Sequence, residues 1–134
     1  MKIALLAASF VLLCGACGVW LLRDFHVFDD RELPAKVARM FIHGDAAVAL
    51  DRFRSDVGRY PTTEEGLDSL IVCPSDLKGV WRGPYIGRDK FPDDPQGRSF
   101  QYRSPGRHCP EGYDLWSLGH DGIESADDIG NWMK

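Results

Sequence analysis

The chain opens on an uncharged, apolar run that extends from Ile3 to Leu22, with Ser9 as its only hydroxyl residue. At about 1.5 Å of rise per residue, a helix of this length matches the hydrocarbon core of a bilayer. The pattern therefore predicts a membrane anchor over residues 1–22. Lys2 precedes the run, which favours a cytoplasmic N-terminus and an extracytoplasmic location for the rest of the chain.

Two other interpretations of this run stay open. A cleaved signal peptide would need a small-residue cleavage site of the A-x-A kind, and none follows the apolar stretch. A lipoprotein signal would end at Cys17, which would carry the lipid. The preceding Gly15 and Ala16 are suitably small, whereas Cys14 stands where leucine is usual. The anchor is our working hypothesis, with lipidation at Cys17 as the alternative.

A short charged connector, residues 23–34, leads to a second apolar pattern. Beyond Pro34, which is tolerated in the first turn of a helix, apolar residues recur at intervals of three and four. This spacing predicts an amphipathic helix, interrupted at Gly44 at a cost of up to about 1 kcal/mol and ending at Gly58 as its C-cap. The predicted inward-facing set is Ala38, Ile42, Ala46, Leu50, Phe53 and Val57.

The second half of the chain shows the signals of a small sheet. Thr62 and Glu65 form a capping-box pattern, which predicts a short helix directly after them. Residues 99–102 and 113–118 alternate in the manner of strands, separated by glycine and proline turns. Two strands with a helix laid across them predict a small antiparallel α+β domain over residues 35–134.

The stretch after the second predicted strand is acidic. It turns through Gly119 and Gly122 and places four carboxylates within eight residues: Asp121, Glu124, Asp127 and Asp128. Carboxylates held this close repel each other unless they are solvated, paired or bound to a cation. Clustered carboxylate, hydroxyl and carbonyl oxygens suit calcium. Because the EF-hand pattern is absent, spacing alone does not separate a calcium site from a solvated acidic loop.

The overall composition argues against two classes of function. The formal net charge is -4, whereas nucleic-acid binding needs a basic face for the phosphates. The chain contains neither a G-x-S-x-G nucleophile motif nor a P-loop, and its four histidines share no metal-ligand spacing. We therefore predict a non-enzymatic protein with no catalytic residues and no nucleic-acid partner.

Two cysteines, Cys73 and Cys109, lie in the segment predicted to be extracytoplasmic. In an oxidising compartment, two lone cysteines in a loop-rich domain are more often bridged than free. We therefore predict a disulfide between them, worth about 3–4 kcal/mol on the chain-entropy model. The alternative is a pair of unrelated thiols.

Six stretches share their order with those of one known family. They are residues 49–67, 81–85, 94–97, 102–106, 113–119 and 127–132, which include the segments RYPTTEEGL, WRGPY, DPQG, YRSPG, YDLWSLG and DDIGNW. Together they span roughly residues 45–132 and resemble the major pseudopilin, protein G, of type II secretion systems. The resemblance implies a pilin-like fold, with an N-terminal membrane helix and an amphipathic helix packed on a small antiparallel sheet. It also implies a C-terminal calcium-binding loop.

The resemblance extends to function and to the acidic turn. In the family this turn binds calcium, and the domain packs into a periplasmic pseudopilus anchored in the bacterial inner membrane. It implies a single-pass protein whose partners are the membrane, other pseudopilins or secretion components, and further copies of itself. We expect one Ca²⁺ to be held by side-chain oxygens of Asp121, Ser125 and Asp127 and by backbone carbonyls of Leu118 and Ile123, with Asp128 as the less certain ligand.

The N-terminal run departs from the family pattern. The family carries a prepilin peptidase site at a glycine and a glutamate five residues into the mature chain, but the run from Ile3 to Leu22 has no glutamate. Two hypotheses therefore remain. The first is a membrane-anchored, pseudopilin-like structural protein of, or derived from, the type II secretion system. The second is a lipid- or membrane-tethered periplasmic calcium-dependent binding module that is not assembled into a pseudopilus.

Overall fold

The structure, a computed structural model, describes residues 32–133. The predicted anchor over residues 1–22, its alternative lipidation site Cys17 and most of the predicted connector lie outside these residues. Between residues 32 and 133 no helix is both long enough and apolar enough to cross a membrane.

One helical segment runs from Glu32 to Val57 in three consecutive parts. These are α1 (Glu32–Phe41), a π-helical turn (Ile42–Ala46) and α2 (Ala47–Val57). The apolar spacing in the sequence predicted the buried face of this segment, and only Val57 of the predicted set is half-buried rather than buried. The buried residues of the segment are Ala38, Ile42, Ala46, Ala49, Leu50 and Phe53.

Single glycines mark the middle and the C-terminal end of this helical segment. Its described part starts at Glu32, which lies inside the segment predicted as a connector. Gly44 lies in the middle of the π-helical turn, where the sequence predicted an interruption. Gly58 ends α2 with a left-handed φ of 87°, and its N–H donates to the carbonyl of Arg54 at 2.8 Å, which confirms the predicted C-cap.

The predicted capping box is formed. The N–H of Thr62 donates to Glu65 Oε2 at 2.7 Å, and the N–H of Glu65 donates to Thr62 Oγ1 at 3.2 Å. The helix after it is shorter and tighter than predicted, a single 3₁₀ turn over Leu67–Leu70. Both of its leucines are buried.

The sheet has three antiparallel strands in the order β1-β2-β3. They are β1 (Gln101–Arg103), β2 (Asp114–Ser117) and β3 (Ile129–Gly130). The sequence predicted β1 and β2 but not β3, which is two residues long and pairs Ile129 with Ser117. This third strand places β2 at the centre of the sheet, and all four of its residues are buried.

The core lies between the helical segment and the sheet and continues into the loops that join them. The ring of Phe41 lies 5.6 Å from that of Phe91 and 5.2 Å from that of Phe100, so the loop before β1 packs against the end of α1. Phe53 of α2 and Leu115 of β2 are both fully buried. The architecture is therefore the predicted α+β arrangement of a helix on a small antiparallel sheet.

Candidate metal centre

The acidic turn, residues 118–128, joins the central strand β2 to β3. It closes through the N–H of Gly122, which donates to the carbonyl of Leu118 at 3.1 Å. Gly119 has a left-handed φ of 61°, and a Cβ at this position would collide with the carbonyl and carboxylate of Asp127. The backbone at Gly119 is therefore drawn tightly against Asp127, which brings the two ends of the turn together.

Three of the predicted calcium ligands meet in space. Ser125 Oγ lies 2.9 Å from Asp121 Oδ2 and 2.5 Å from Asp127 Oδ1. A serine hydroxyl carries a single hydrogen, so it donates fully to only one of two such oxygens. The remaining oxygen–oxygen contact lacks a proton to stabilise it. A cation that accepts electron pairs from all three oxygens would remove this deficit.

The backbone holds the two carboxylates in place. The N–H of His120 donates to Asp127 Oδ2 at 2.8 Å, and the N–H of Ile123 donates to Asp121 Oδ1 at 3.0 Å. The hydrogen bond from Ser125, followed by that from the N–H of His120, lowers the pKa of Asp127. Asp127 is therefore ionised in the pH range in which calcium would bind.

Asp128 differs from the other predicted ligands. It is 7% exposed, and its Oδ1 atom has no hydrogen-bond partner in the part of the chain that the structure describes. Burial, and then the negative charges of Asp127, Glu124 and Asp121, raise its pKa. The structure thus separates Asp128 from the group formed by Asp121, Ser125 and Asp127.

The donor set fits a hard cation. Within residues 32–133 no group of three or more histidine, cysteine, aspartate or glutamate side chains is arranged to hold a metal ion. The oxygens that do converge belong to two carboxylates and one hydroxyl, with neither sulfur nor imidazole nitrogen among them. Calcium accepts such mixed oxygen sets and completes its coordination with carbonyls and water. The backbone carbonyls of Leu118 and Ile123 lie in the same turn, and that of Leu118 already accepts the N–H of Gly122.

Arg98 also contacts the acidic turn, and the sequence pattern carries no signal for it. Its guanidinium Nη2 donates to the carbonyl of Gly119. The residue follows the Asp94-Pro95-Gln96-Gly97 turn, which is far from the acidic turn in sequence. Only the folded chain shows that the two turns are neighbours.

The structure does not form the predicted disulfide between Cys73 and Cys109, and both residues are free thiols in it. Cys73 Sγ donates to the carbonyl of Pro74 at 3.3 Å. Cys109 instead lies beside the end of β2, where its backbone N–H donates to Asp114 Oδ1 at 3.0 Å and its sulfur is 4.0 Å from Asn131 Nδ2. The carboxylate of Asp114 thus fixes Cys109 in a neighbourhood that Cys73 does not share.

Comparison with known proteins agrees with this architecture. A family model described as "Type II secretion system (T2SS), protein G" matches residues 34–132. The chain belongs to this family. The match includes the helical segment from Pro34 onward, all three strands and the whole acidic turn.

Individual relatives show the same relationship. Over 88 residues the chain is 48% identical to type II secretion system core protein G of Klebsiella pneumoniae, a match that covers 63% of this chain and 60% of the relative. Over 93 residues it is 40% identical to the Pseudomonas aeruginosa protein of the same name, covering 64% and 63% of the two chains. The match therefore spans less than two thirds of the length of either relative.

A solved structure has the same fold. The major pseudopilin from the type 2 secretion system of enterohaemorrhagic Escherichia coli superimposes with a TM-score of 0.67 and 33% sequence identity. The superposition covers 78% of this chain and 87% of that protein. This similarity confirms the pilin-like arrangement of a helix on a small antiparallel sheet.

Proposed function

We propose that this chain is a non-enzymatic, pseudopilin-like structural subunit of a type II secretion system. The family match over residues 34–132 carries the proposal, because it covers the helix, the sheet and the acidic turn without interruption. The relatives are named as core proteins of that system, and the protein of similar solved structure is a major pseudopilin.

The proposal places the folded domain in the periplasm, attached to the bacterial inner membrane by the apolar run from Ile3 to Leu22. The length of that run and the single lysine before it support this location. The proposed partners are the membrane, other pseudopilins or secretion-system components, and further copies of this chain. The net charge of -4 argues against a nucleic-acid partner.

The proposal includes one structural Ca²⁺ in the acidic turn. Asp121, Ser125 and Asp127 would hold it by side-chain oxygens, and Leu118 and Ile123 by backbone carbonyls. When bound, calcium supplies positive charge that offsets the clustered carboxylates. Because the turn connects β2 directly to β3, the residues that hold the ion would fix the short third strand against the centre of the sheet.

A second candidate function is a tethered calcium-dependent binding module that is not assembled into a pseudopilus. One observation favours it. The family match begins at residue 34, so the run from Ile3 to Leu22, which lacks the glutamate expected in the family, is not covered. In this case the tether would be a lipid on Cys17, which would make the chain a lipoprotein, or the apolar run itself.

Secretion in the native host tests the two candidates. The gene would be deleted, and the full chain and a Cys17→Ser variant would be expressed in its place. We expect deletion to abolish export of secretion substrates and both chains to restore it, with secretion components recovered after crosslinking in the membrane. Export that does not depend on the gene, together with a mature chain beginning at an acylated Cys17, would instead support the tethered module.

A further inference from the structure

We propose that Arg98 is the positioning residue of the acidic turn and that it holds the backbone of this turn in place whether or not a cation is bound. The proposal goes beyond the function proposed above, because it concerns the turn in the absence of calcium. It follows from three features: how the backbone at Arg98 is held, what its guanidinium contacts, and how few contacts reach the turn from other parts of the fold.

The buried carboxylate of Asp94 holds the backbone at Arg98 in place. Asp94 has a fully buried side chain, and its Oδ1 accepts the backbone N–H groups of Gln96 at 3.0 Å and Arg98 at 2.8 Å. Its Oδ2 accepts the hydroxyl of Ser117 at 2.7 Å. Since Ser117 belongs to β2, the turn that carries Arg98 is fastened to the central strand of the sheet.

The guanidinium reaches both glycines of the acidic turn. Its Nη2 donates to the carbonyl of Gly119. Its Nη1 lies so close to Gly122 that a Cβ on that residue would collide with it. Gly122 also has a left-handed φ of 75°, so its lack of a side chain serves both the backbone conformation and the space that Arg98 occupies.

The hydrogen bond from Arg98 to the carbonyl of Gly119 contributes more to stability than the ion pair between Arg98 and Asp94. Its Nε atom lies 3.7 Å from Asp94 Oδ2 and is buried without a hydrogen-bond partner among the described residues. A charged donor bound to a carbonyl contributes more than a distant, partly exposed ion pair.

Most other contacts of the acidic turn lie within the turn itself, apart from a distant ion pair between Arg107 and Glu124 at 3.9 Å. Asp121, Ile123, Glu124, Ser125 and Asp127 are all exposed. A segment that buries few apolar groups depends on its polar contacts to stay ordered. The contact from Arg98 comes from another, firmly held part of the fold, whereas the Ser125 contacts lie within the turn itself.

Amide hydrogen exchange of the full chain in EDTA tests the proposal. We expect Arg98→Ala to accelerate exchange across residues 119–127 by about tenfold or more, as loss of one charged hydrogen bond implies. Exchange in α2 and β2 should stay unchanged. Arg98→Lys, which keeps a charged donor on a long side chain, should restore more than half of the lost protection. Arg88→Ala, which removes an exposed arginine from another loop, is the matched control and should have no effect on the turn.

A double-mutant cycle provides the second readout. Gly122→Ala displaces the guanidinium, so it should accelerate exchange of the turn several-fold less in the Arg98→Ala background than in the wild-type background. Equal effects in both backgrounds would overturn the proposal. So would unchanged exchange in Arg98→Ala, or faster exchange spread evenly over the domain. Because no calcium is present, these results are independent of whether the turn binds the ion.

Discussion

Asn131 and Leu115 exchange two hydrogen bonds at the edge of β3. The backbone N–H of Leu115 donates to Asn131 Oδ1 at 2.9 Å, and the backbone N–H of Asn131 donates to the carbonyl of Leu115 at 3.0 Å. The amide of Asn131 also donates to the carbonyl of Tyr113 at 2.9 Å. One side chain thus extends the pairing between β2 and β3 beyond the two residues of the short strand.

Replacement of Asn131 by alanine should therefore lower the free energy of unfolding by about 1–3 kcal/mol, because it leaves the backbone N–H of Leu115 and the carbonyl of Tyr113 without these partners. Urea denaturation measures the change. Gln101→Ala is the matched control: its amide donates to the carbonyl of Ser99 at an exposed position, and we expect a change below about 0.5 kcal/mol. Equal effects of the two substitutions would contradict the role assigned to Asn131.

Asp114 holds the loop before β2, and its hydrogen bonds predict that the stability of the fold depends on pH. Its carboxylate accepts the N–H groups of Arg107 at 2.7 Å, His108 at 2.9 Å and Cys109 at 3.0 Å. Burial on its own would raise the pKa of Asp114, but these backbone donors outweigh it, and the pKa is lowered. A carboxyl group with a lowered pKa stabilises the fold above its unfolded-state pKa, and this contribution is lost as the pH falls through the folded-state value.

Asp114→Asn should accordingly cost about 2–3 kcal/mol near neutral pH, because a buried charged acceptor of three hydrogen bonds is lost. The difference in unfolding free energy between the wild type and this variant should shrink as the pH falls below about 4, the ordinary range of an aspartate. Denaturation curves collected between neutral pH and acid measure it. His108→Ala keeps the three backbone donors and should retain most of the pH dependence. A difference that stays constant with pH would refute the mechanism.

Local signals in the sequence predicted the elements whose partners are close in the chain. Gly58 caps its own helix, and Thr62 and Glu65 satisfy each other three residues apart, so the pattern alone was sufficient. Strand β3 and the contact of Arg98 depend on residues far along the chain. Nothing in a two-residue segment such as Ile129–Gly130 distinguishes a strand from a loop until β2 is beside it.

The same distinction between local and distant contacts applies to the candidate site. The convergence of Asp121, Ser125 and Asp127 lies within one turn and was anticipated from their spacing and the family resemblance. The structure leaves Cys73 and Cys109 unbridged, and the compartment and the number of cysteines, on which the disulfide was predicted, say nothing about the distance between them. The loop held by Asp114 decides where Cys109 lies, and that arrangement is a property of the folded chain.

Replacement of Gly58 and of Gly44 by alanine should change the free energy of unfolding in opposite directions. Gly58 has a left-handed φ of 87°, which an alanine adopts at a cost of about 1–2 kcal/mol, and nothing lies within 4 Å of the added Cβ. Gly44 lies inside the helical segment, has no left-handed φ and also has open space around it. There, alanine should stabilise the protein by about 0.5–1 kcal/mol, because it restricts the unfolded chain. Urea denaturation of both variants checks the prediction, and a shared sign would contradict it.

The free thiols predict a measurable reactivity. Burial, followed by the negative charge of Asp114, raises the pKa of Cys109. A raised pKa means less thiolate, so Cys109 should be alkylated more slowly at pH 8 than an unstructured cysteine peptide. Asp114→Asn should accelerate alkylation of Cys109 and leave that of Cys73 unchanged. Peptide mapping by mass spectrometry measures both rates, and a Cys73–Cys109 disulfide in the untreated protein would contradict the structure.

Calcium removal tests the acidic turn directly. An ion that binds only the folded state stabilises it by mass action, by about 2.7 kcal/mol at a hundredfold excess over the dissociation constant. We therefore expect wild-type protein to melt at a higher temperature in millimolar calcium than in EDTA. Asp121→Asn and Asp127→Asn each remove a charged oxygen from the group around Ser125 and should abolish that difference.

Glu124→Gln is the matched control for these two variants, since it removes a charge from the same turn without touching the oxygens that converge on Ser125. Its carboxylate pairs only distantly with Arg107, at 3.9 Å, and 65% of its side chain is exposed. The calcium-dependent rise in melting temperature should survive in this variant. If Glu124→Gln loses the rise together with the other two, the effect comes from net charge alone. If wild-type protein melts at one temperature in calcium and in EDTA, the turn is a solvated acidic loop.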